Sequence, residues 1–331
     1  MMNIRFKSTK SRYILNAAAV LALYGVLYAM IENGILNRYA AGLLMTAGYN
    51  IILAVSLNLA AGFLGQLPLG HAGFMSVGAY ASALFTLGLE MDGAVEFPLA
   101  LIIGGLVAAV FGVLIGLPAL RLSGDYLAII TLGFGEIIRV VILNLSFTGG
   151  AFGLQGMKRY SNFTNIFIFA VITLFVISTL IKSRHGRAIL AIREDEIAAE
   201  ASGIPTTYYK TFAFAVSAFF AGVAGGLYAH HLCILDPSTF GFMKSVEILV
   251  MVVLGGMGSL IGSVVAAFGL TLLPELLREF AQYRIIVYSL LLVLVMIFKP
   301  SGLFGRYDFS LGKTVDDLFI KLRAPNKKGG A

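Results

Sequence analysis

Few side chains in this sequence stand in arrangements that support chemistry. Glu136 and Arg139 lie three apart inside an apolar run, residues 126–145, and Arg121 and Asp125 lie four apart at its start. Either spacing lets opposite charges meet on one face of a helix. Charges inside an apolar span are costly and turn toward a bundle interior or water. We read Glu136–Arg139 as a structural ion pair; the place of Glu136 near the middle of its run also suits the lining of a path. His230 and His231 are adjacent, so they face different sides of a helix and lack the spacing and glutamate of a helical zinc site. His71 has no nearby acid and reads as a hydrogen-bonded structural residue rather than a proton carrier. Gly255, Gly256 and Gly258 are not followed by the Lys-Ser or Lys-Thr of a phosphate loop. The single Cys233 makes neither an internal disulfide nor a cysteine metal site. With no nucleophile, acid–base dyad or metal set in view, the chain is expected not to be an enzyme, and to need no cofactor of its own.

The elements that hold these residues follow from composition. Of 331 residues, 59% are hydrophobic and only 12% charged, with a mean hydropathy of +0.90. A soluble domain carries about 25% charged residues, so the expected class is an all-α polytopic membrane protein. The 38 glycines fit that class, because glycine lets helix backbones approach closely. The net charge of +7 sits mainly in tails and loops, where membrane topology explains it and nucleic acid does not. Arg5, Lys7, Lys10 and Arg12 precede an uncharged run, residues 13–31. It exceeds the core of about 7–15 residues of a signal peptide and reads as a retained first helix.

Apolar runs then mark the spans. Residues 39–89 are long enough to cross twice, with a natural break at 62–70, which holds Gly62, Gly65, Gln66, Pro68 and Gly70. Further runs cover 97–120, 126–145, 160–181, 211–235, 248–274 and 285–298, the fifth interrupted at Gly255–Gly258. Basic residues in both tails place both termini in the cytoplasm, and the acidic stretch 90–96 places that connection outside. The count closes at about ten segments if 248–274 crosses twice, an arrangement that leaves Lys158 and Arg159 outside. The expected organisation is a cytoplasmic tail (1–12), one transmembrane domain (13–298) with a cytoplasmic loop at 182–207, and a second cytoplasmic tail (299–331). A faint repeat pairs Ala61-Gly62-Phe63-Leu64-Gly65 with Ala221-Gly222-Val223-Ala224-Gly225, each expected to close an uncharged helix.

Residues 186–204, GRAILAIREDEIAAEASGI, form a charged, helix-forming segment between two uncharged runs. A simple connection needs only a few residues. This one spends about a helix and a half, which suits contact with something outside the membrane. Pro68 and the glycines around it break a helix, and irregular backbone at membrane depth survives only inside protein or along a water-filled cavity. The break therefore reads either as part of a translocation path or as a short loop between spans.

The charged segment resembles the coupling helix of ABC importer permeases, in the version found in permeases for branched-chain amino acids. Residues 58–79 (NLAAGFLGQLPLGHAGFMSVGA), 121–139 (RLSGDYLAIITLGFGEIIR), 254–259 (LGGMGS) and 299–303 (KPSGL) resemble further blocks of the same family, nearest its LivM-type subunit. The likeness covers about residues 50–303. It implies that Gly186, Arg187, Arg193, Glu194, Asp195, Glu196 and Gly203 couple to an ATPase. It also implies that Asn58, Gly62, Gly65, Gln66, Gly70, His71, Glu136, Gly255, Gly256 and Gly258 belong to the path or its broken helices. The implied partners are a LivH-type sister permease, two ATPase subunits that hold ATP and Mg²⁺, an extracytoplasmic binding protein and the lipid of a bacterial inner membrane. The expected function is uptake of branched-chain or hydrophobic amino acids. Urea or short-amide transport in the same family, or a stand-alone secondary transporter, are the alternatives.

Overall fold

In hydrocarbon a backbone must satisfy its own polar groups, and a helix does so within one segment. Within the described residues, the apolar runs accordingly become helices. The computed structural model describes residues 9–89, 92–122 and 124–276, and beyond these only positions 290, 293, 297, 298, 302, 303 and 305. Two units are distinguished, residues Met1–Ala41 with Tyr307–Ala331, and Gly42–Arg306. The first contributes helix α1 (Thr9–Glu32), which contains the uncharged run expected there.

The remaining elements are α2 (Arg38–Asn58), which ends in a π-helical turn (Leu59–Phe63), α3 (His71–Gly88), α4 (Gly93–Ala119), α5 (Asp125–Asn144) and α6 (Phe163–Lys182). After these come the short α7 (Arg184–Glu194) and α8 (Glu196–Ala201), then α9 (Thr206–Leu232), α10 (Phe242–Gly255) and α11 (Leu260–Leu276). Among the described residues, five helices are long and apolar enough to cross a membrane: 38–63, α4, α5, α6 and α9. The 14 residues of α10 extend only about 21 Å, short of the ~30 Å hydrocarbon core. The run at 285–298 lies outside the residues described apart from four positions.

Helices α3, α4 and α9 make the centre, and glycine brings them together. A Cβ on Gly78 of α3 would stand 2.2 Å from the Cα of Gly222 on α9, so the two backbones touch there. Helices α5 and α6 bury only one stripe each. On α5 it is Leu127, Thr131, Gly135, Ile138 and Ile142, at spacings of three and four. Ile129, Ile137 and Val140 of α5 and Phe175 of α6 stay exposed, the outer surface expected of helices in lipid. Two-residue strands β1 (Leu154–Gln155) and β2 (Ile234–Leu235) pair antiparallel, with Leu154 opposite Leu235, and tie the α5–α6 connection to the α9–α10 connection.

Four expectations need correction. Asp125 is the first residue of α5 and Arg121 lies in the turn before it, across Gly124 at φ +61°, so the helical spacing assumed for that pair does not exist. Residues 221–225 lie in the interior of α9 rather than at its end, because their small side chains pack on α3 and leave the helix regular. Helix α10 starts at Phe242, six residues before the uncharged run, since Lys244 and Glu247 neutralise each other at 3.0 Å. Glu96, counted as a residue of an outer connection, sits in the first turn of α4 and is fully buried.

Candidate functional site: two helix breaks and a surface helix pair

Asn58 ends α2, and the chain then widens into the π turn. Leu64 N–H donates to the Leu59 carbonyl and Gln66 N–H to that of Ala60. In a continuing α-helix the Gln66 amide would have served Gly62. The break therefore leaves the Gly62 carbonyl to another partner, and that partner is Arg193 of α7, whose Nη1 donates to it at 2.9 Å. The Arg193 stem lies along the break, since a Cβ on Gly65 would meet its Cγ at 2.7 Å.

A second break separates α10 from α11. Gly256 and Gly258 adopt φ of +106° and +87°, a conformation open to glycine and costly for other residues. Asn58 joins this break to the first. Its Oδ1 accepts from Gly258 N–H at 2.8 Å, and its Nδ2 donates to the Ser259 carbonyl at 2.9 Å and the Ser263 hydroxyl at 2.8 Å. The contact leaves no room at Gly62, where a Cβ would stand 1.8 Å from Asn58 Oδ1 and 2.2 Å from Gly258 N. Gly255 packs as closely on Gly262, the two helices meeting backbone to backbone beside the break. From the later KPSGL block, Leu303 N–H donates to the Leu254 carbonyl at 2.8 Å, which caps the end of α10.

The segment expected as one helix and a half is two helices with a corner at Asp195. The corner has a local cause: Asp195 is extended, and its Oδ1 accepts from the amides of Ile197 and Ala198, which starts α8 as an N-cap. Ser183 caps α7 in the same way through Gly186 N–H. Gly186 sits in the tight corner against α6, where a Cβ would lie 2.1 Å from the Ile181 carbonyl. Gly203, at φ +83°, turns the chain from α8 into α9. Ile189 and Ile192 of α7 and Ala199 of α8 pack with Leu64 of the first break and Ala213 of α9 in a small separate core. Glu196 pairs with Lys210 of α9, whose side chain is only 7% exposed, and Arg193 also pairs with Glu194, each at 2.5 Å. Outward, Arg187, Glu194, Asp195 and Gly203 are exposed, and so is Ile197, at 82%.

The other site residues gather at a second place, where the first break meets α5 and α10. A Cβ on Gly70 would press the Thr131 carbonyl at 2.2 Å, and the Thr131 hydroxyl receives Leu69 N–H at 3.0 Å. His71 is buried and shares a hydrogen bond of 3.0 Å with the Ser56 hydroxyl, as a structural histidine does. Glu136 bonds Arg139 Nε at 2.7 Å through Oε2, and its Oε1 accepts Phe242 N–H at 3.0 Å. The pair thus fastens α5 to the N-terminus of α10, a role its spacing suggested and whose partner it did not name. Gln66 is half-buried, and its side chain joins neither group.

Sequence reasoning passed over Ser259, Ser263, Lys210 and Glu96. Glu96 Oε2 accepts from the Tyr160 hydroxyl at 3.2 Å, while Oε1 has no hydrogen-bond partner among the described residues. Ser263 had a usable signal, four residues after Ser259 at the start of an apolar helix.

Apolar helices of membrane-spanning length, two breaks joined through Asn58, and a charged surface helix pair bound through Arg193 to the first break define a polytopic membrane protein. Residues 39–299 match the family described as the permease component of the branched-chain amino acid transport system, and the chain belongs to that family. Within it the chain is similar to the high-affinity branched-chain amino acid transport system permease protein LivM. Identity is 40% with LivM of Salmonella typhimurium and 41% with LivM of Escherichia coli strain K12, in each case over 76% of this chain and 67% of the relative. LivH of Escherichia coli strain K12 is 26% identical over 77% of this chain and 91% of its own length. The solved structure of PsaBC from Streptococcus pneumoniae in complex with Fab overlaps 82% of this chain and 95% of that one, at 16% identity and a TM-score of 0.45.

Proposed function

We propose that this chain is one of two membrane-spanning subunits of an ATP-driven importer of branched-chain or other hydrophobic amino acids in a bacterial inner membrane. The sister subunit is of LivH type, and the resemblance of this chain to both LivM and LivH supports that pairing. Two ATPase subunits bind Mg²⁺ and ATP; this chain carries no phosphate loop and takes no part in hydrolysis. A binding protein on the outer side delivers substrate and sets most of the selectivity. Both termini and the α7–α8 pair face the cytoplasm.

In this reading the ATPases close on ATP and push α7–α8, the spans tilt, and a pathway between the two permease subunits opens to one side at a time. The observation that carries the reading is the position of α7–α8. The pair exposes Ile197 and a set of charges, yet it is bound through Arg193 to one break and packed through Ile189 and Ile192 on Leu64. Charges around an exposed apolar residue give a docking face its register.

The test uses the complete complex in proteoliposomes with binding protein and a radiolabelled branched-chain amino acid. Ile197→Asp puts a charge at the centre of the face without touching the bundle. Expected results are ATPase subunits that dissociate or lose stimulation by the binding protein, and loss of uptake. Uptake and stimulation at the unchanged level overturn the coupling reading.

A further inference from the structure

Resting on the coupling reading, we infer that Arg193 is the residue that carries displacement of α7 into both helix breaks at once, as a rigid clasp closed by Asn58. Three observations lead here. First, the Gly62 carbonyl receives the Arg193 guanidinium at 2.9 Å, and its usual helical donor, Gln66 N–H, is spent on Ala60. Second, the same guanidinium lies beside the second break: a Cβ built on Gly258 would stand 3.4 Å from Arg193 Nη1, so the two are in van der Waals proximity without a hydrogen bond between them. Third, Asn58 holds Gly258, Ser259 and Ser263 against the first break by one hydrogen bond each. One side chain of the surface pair therefore grips the join between two interruptions that lie about 200 residues apart in sequence.

The rest of α7–α8 is attached differently. Glu196 holds Lys210 at the start of α9, a regular helix, and the small apolar core is non-directional. Among the described residues of the pair, only Arg193 makes a directional, charge-assisted bond to irregular backbone, and such a bond has a fixed geometry that non-directional apolar contact lacks. Its side chain is only 16% exposed, so water competes weakly for the guanidinium. Arg193 is thus a positioning residue: it touches no substrate and acts through the breaks.

The experiment compares uptake per ATP hydrolysed in the complete complex. Arg193→Met keeps the stem against Gly65 and removes the donors. The assembled complex is expected to lose about ten- to hundredfold in uptake per ATP, the range that one charge-assisted hydrogen bond carries. Arg193→Lys, which still offers a charged donor, is expected to recover part of that loss. A merely structural role predicts equal losses of assembled complex in both variants and an unchanged ratio in what remains, and that result overturns the inference. A second measurement needs no change at Arg193. Spin labels at Ala201→Cys and Met257→Cys, in a Cys233→Ala background, report the distance between α8 and the second break by pulsed EPR. A rigid clasp keeps that distance within about 2 Å between nucleotide-free and ATP-trapped complexes, and a larger change refutes it. If Ile197→Asp and Arg193→Met both leave uptake intact, the coupling reading itself fails. If Ile197→Asp abolishes uptake and Arg193→Met leaves the ratio unchanged, only the clasp fails.

Discussion

Replacing Asn58 by leucine removes the join between the two breaks while nearly preserving volume. Three hydrogen bonds disappear, to Gly258 N–H, the Ser259 carbonyl and the Ser263 hydroxyl. The consequences are unequal. The Ser259 carbonyl keeps two donors, Ser263 N–H at 3.1 Å and the Ser263 hydroxyl at 3.2 Å. The Gly258 amide is left with no acceptor in its place. Interhelical hydrogen bonds in membrane proteins average ~0.6 kcal/mol, and an orphaned buried donor costs about 1–3 kcal/mol. The two lost side-chain bonds and the orphaned amide sum to about 2–4 kcal/mol, confined to the start of α11. Local opening free energy converts directly to amide exchange, and 1.4 kcal/mol is tenfold. Hydrogen–deuterium exchange of residues 256–263 is therefore expected to quicken about 30- to 1,000-fold in the purified complex, with α3 and α9 unchanged. Unaltered exchange in 256–263, or acceleration spread evenly over the bundle, refutes the assignment of Asn58 as the tie between the breaks.

Three further outcomes test other parts of the structure. Glu136→Gln keeps an acceptor for Phe242 N–H and gives up only a half-exposed ion pair, a loss of about 0.5–1 kcal/mol, whereas Glu136→Ala also uncaps α10 and costs about 1–2 kcal/mol more; thermal unfolding of the two variants in detergent should rank them in that order. Asp195→Ala removes the acceptor of two amides and should weaken α8 by about 1 kcal/mol, visible as faster exchange at residues 196–201 with no change in α7. Gly78→Val drives methyl groups into the Gly222 backbone and should cost about 3 kcal/mol, which a cell-surface or membrane-fraction expression assay reads as loss of folded protein.

The spans were legible because lipid imposes one rule on every residue in it: the apolar runs at 97–120, 126–145 and 160–181 reappear as α4, α5 and α6 within a few residues. Glycine and proline at 62–70 and glycine at 255–258 marked both breaks, since backbone that cannot continue a helix is a local property. What escaped was charge made tolerable by a distant partner. Glu96 counts as an outer acid until Tyr160 is seen beside it, and Glu247 bounds the run at 248–274 until Lys244 is seen to pair with it. The site shows the same division. Residue types at Asn58, Gly62, Arg193 and Gly258 drew attention separately, but their meeting depends on tertiary packing over 131 and 200 positions. Arg121–Asp125 failed for the opposite reason: the spacing was right, and Gly124 placed the helix start between the two.

The grip of Arg193 on Gly62 also bears on how the chain is made. The ribosome delivers the first interruption long before the arginine that completes it, with 131 positions between them. During that interval the nascent α2 hairpin carries a carbonyl with no native donor, and the amide of Gly258 arrives later still. Biogenesis must therefore shelter this corner until most of the subunit has been synthesised. A chain truncated before α7 ought to be a favoured target of membrane quality control, even though its first spans are apolar enough to insert.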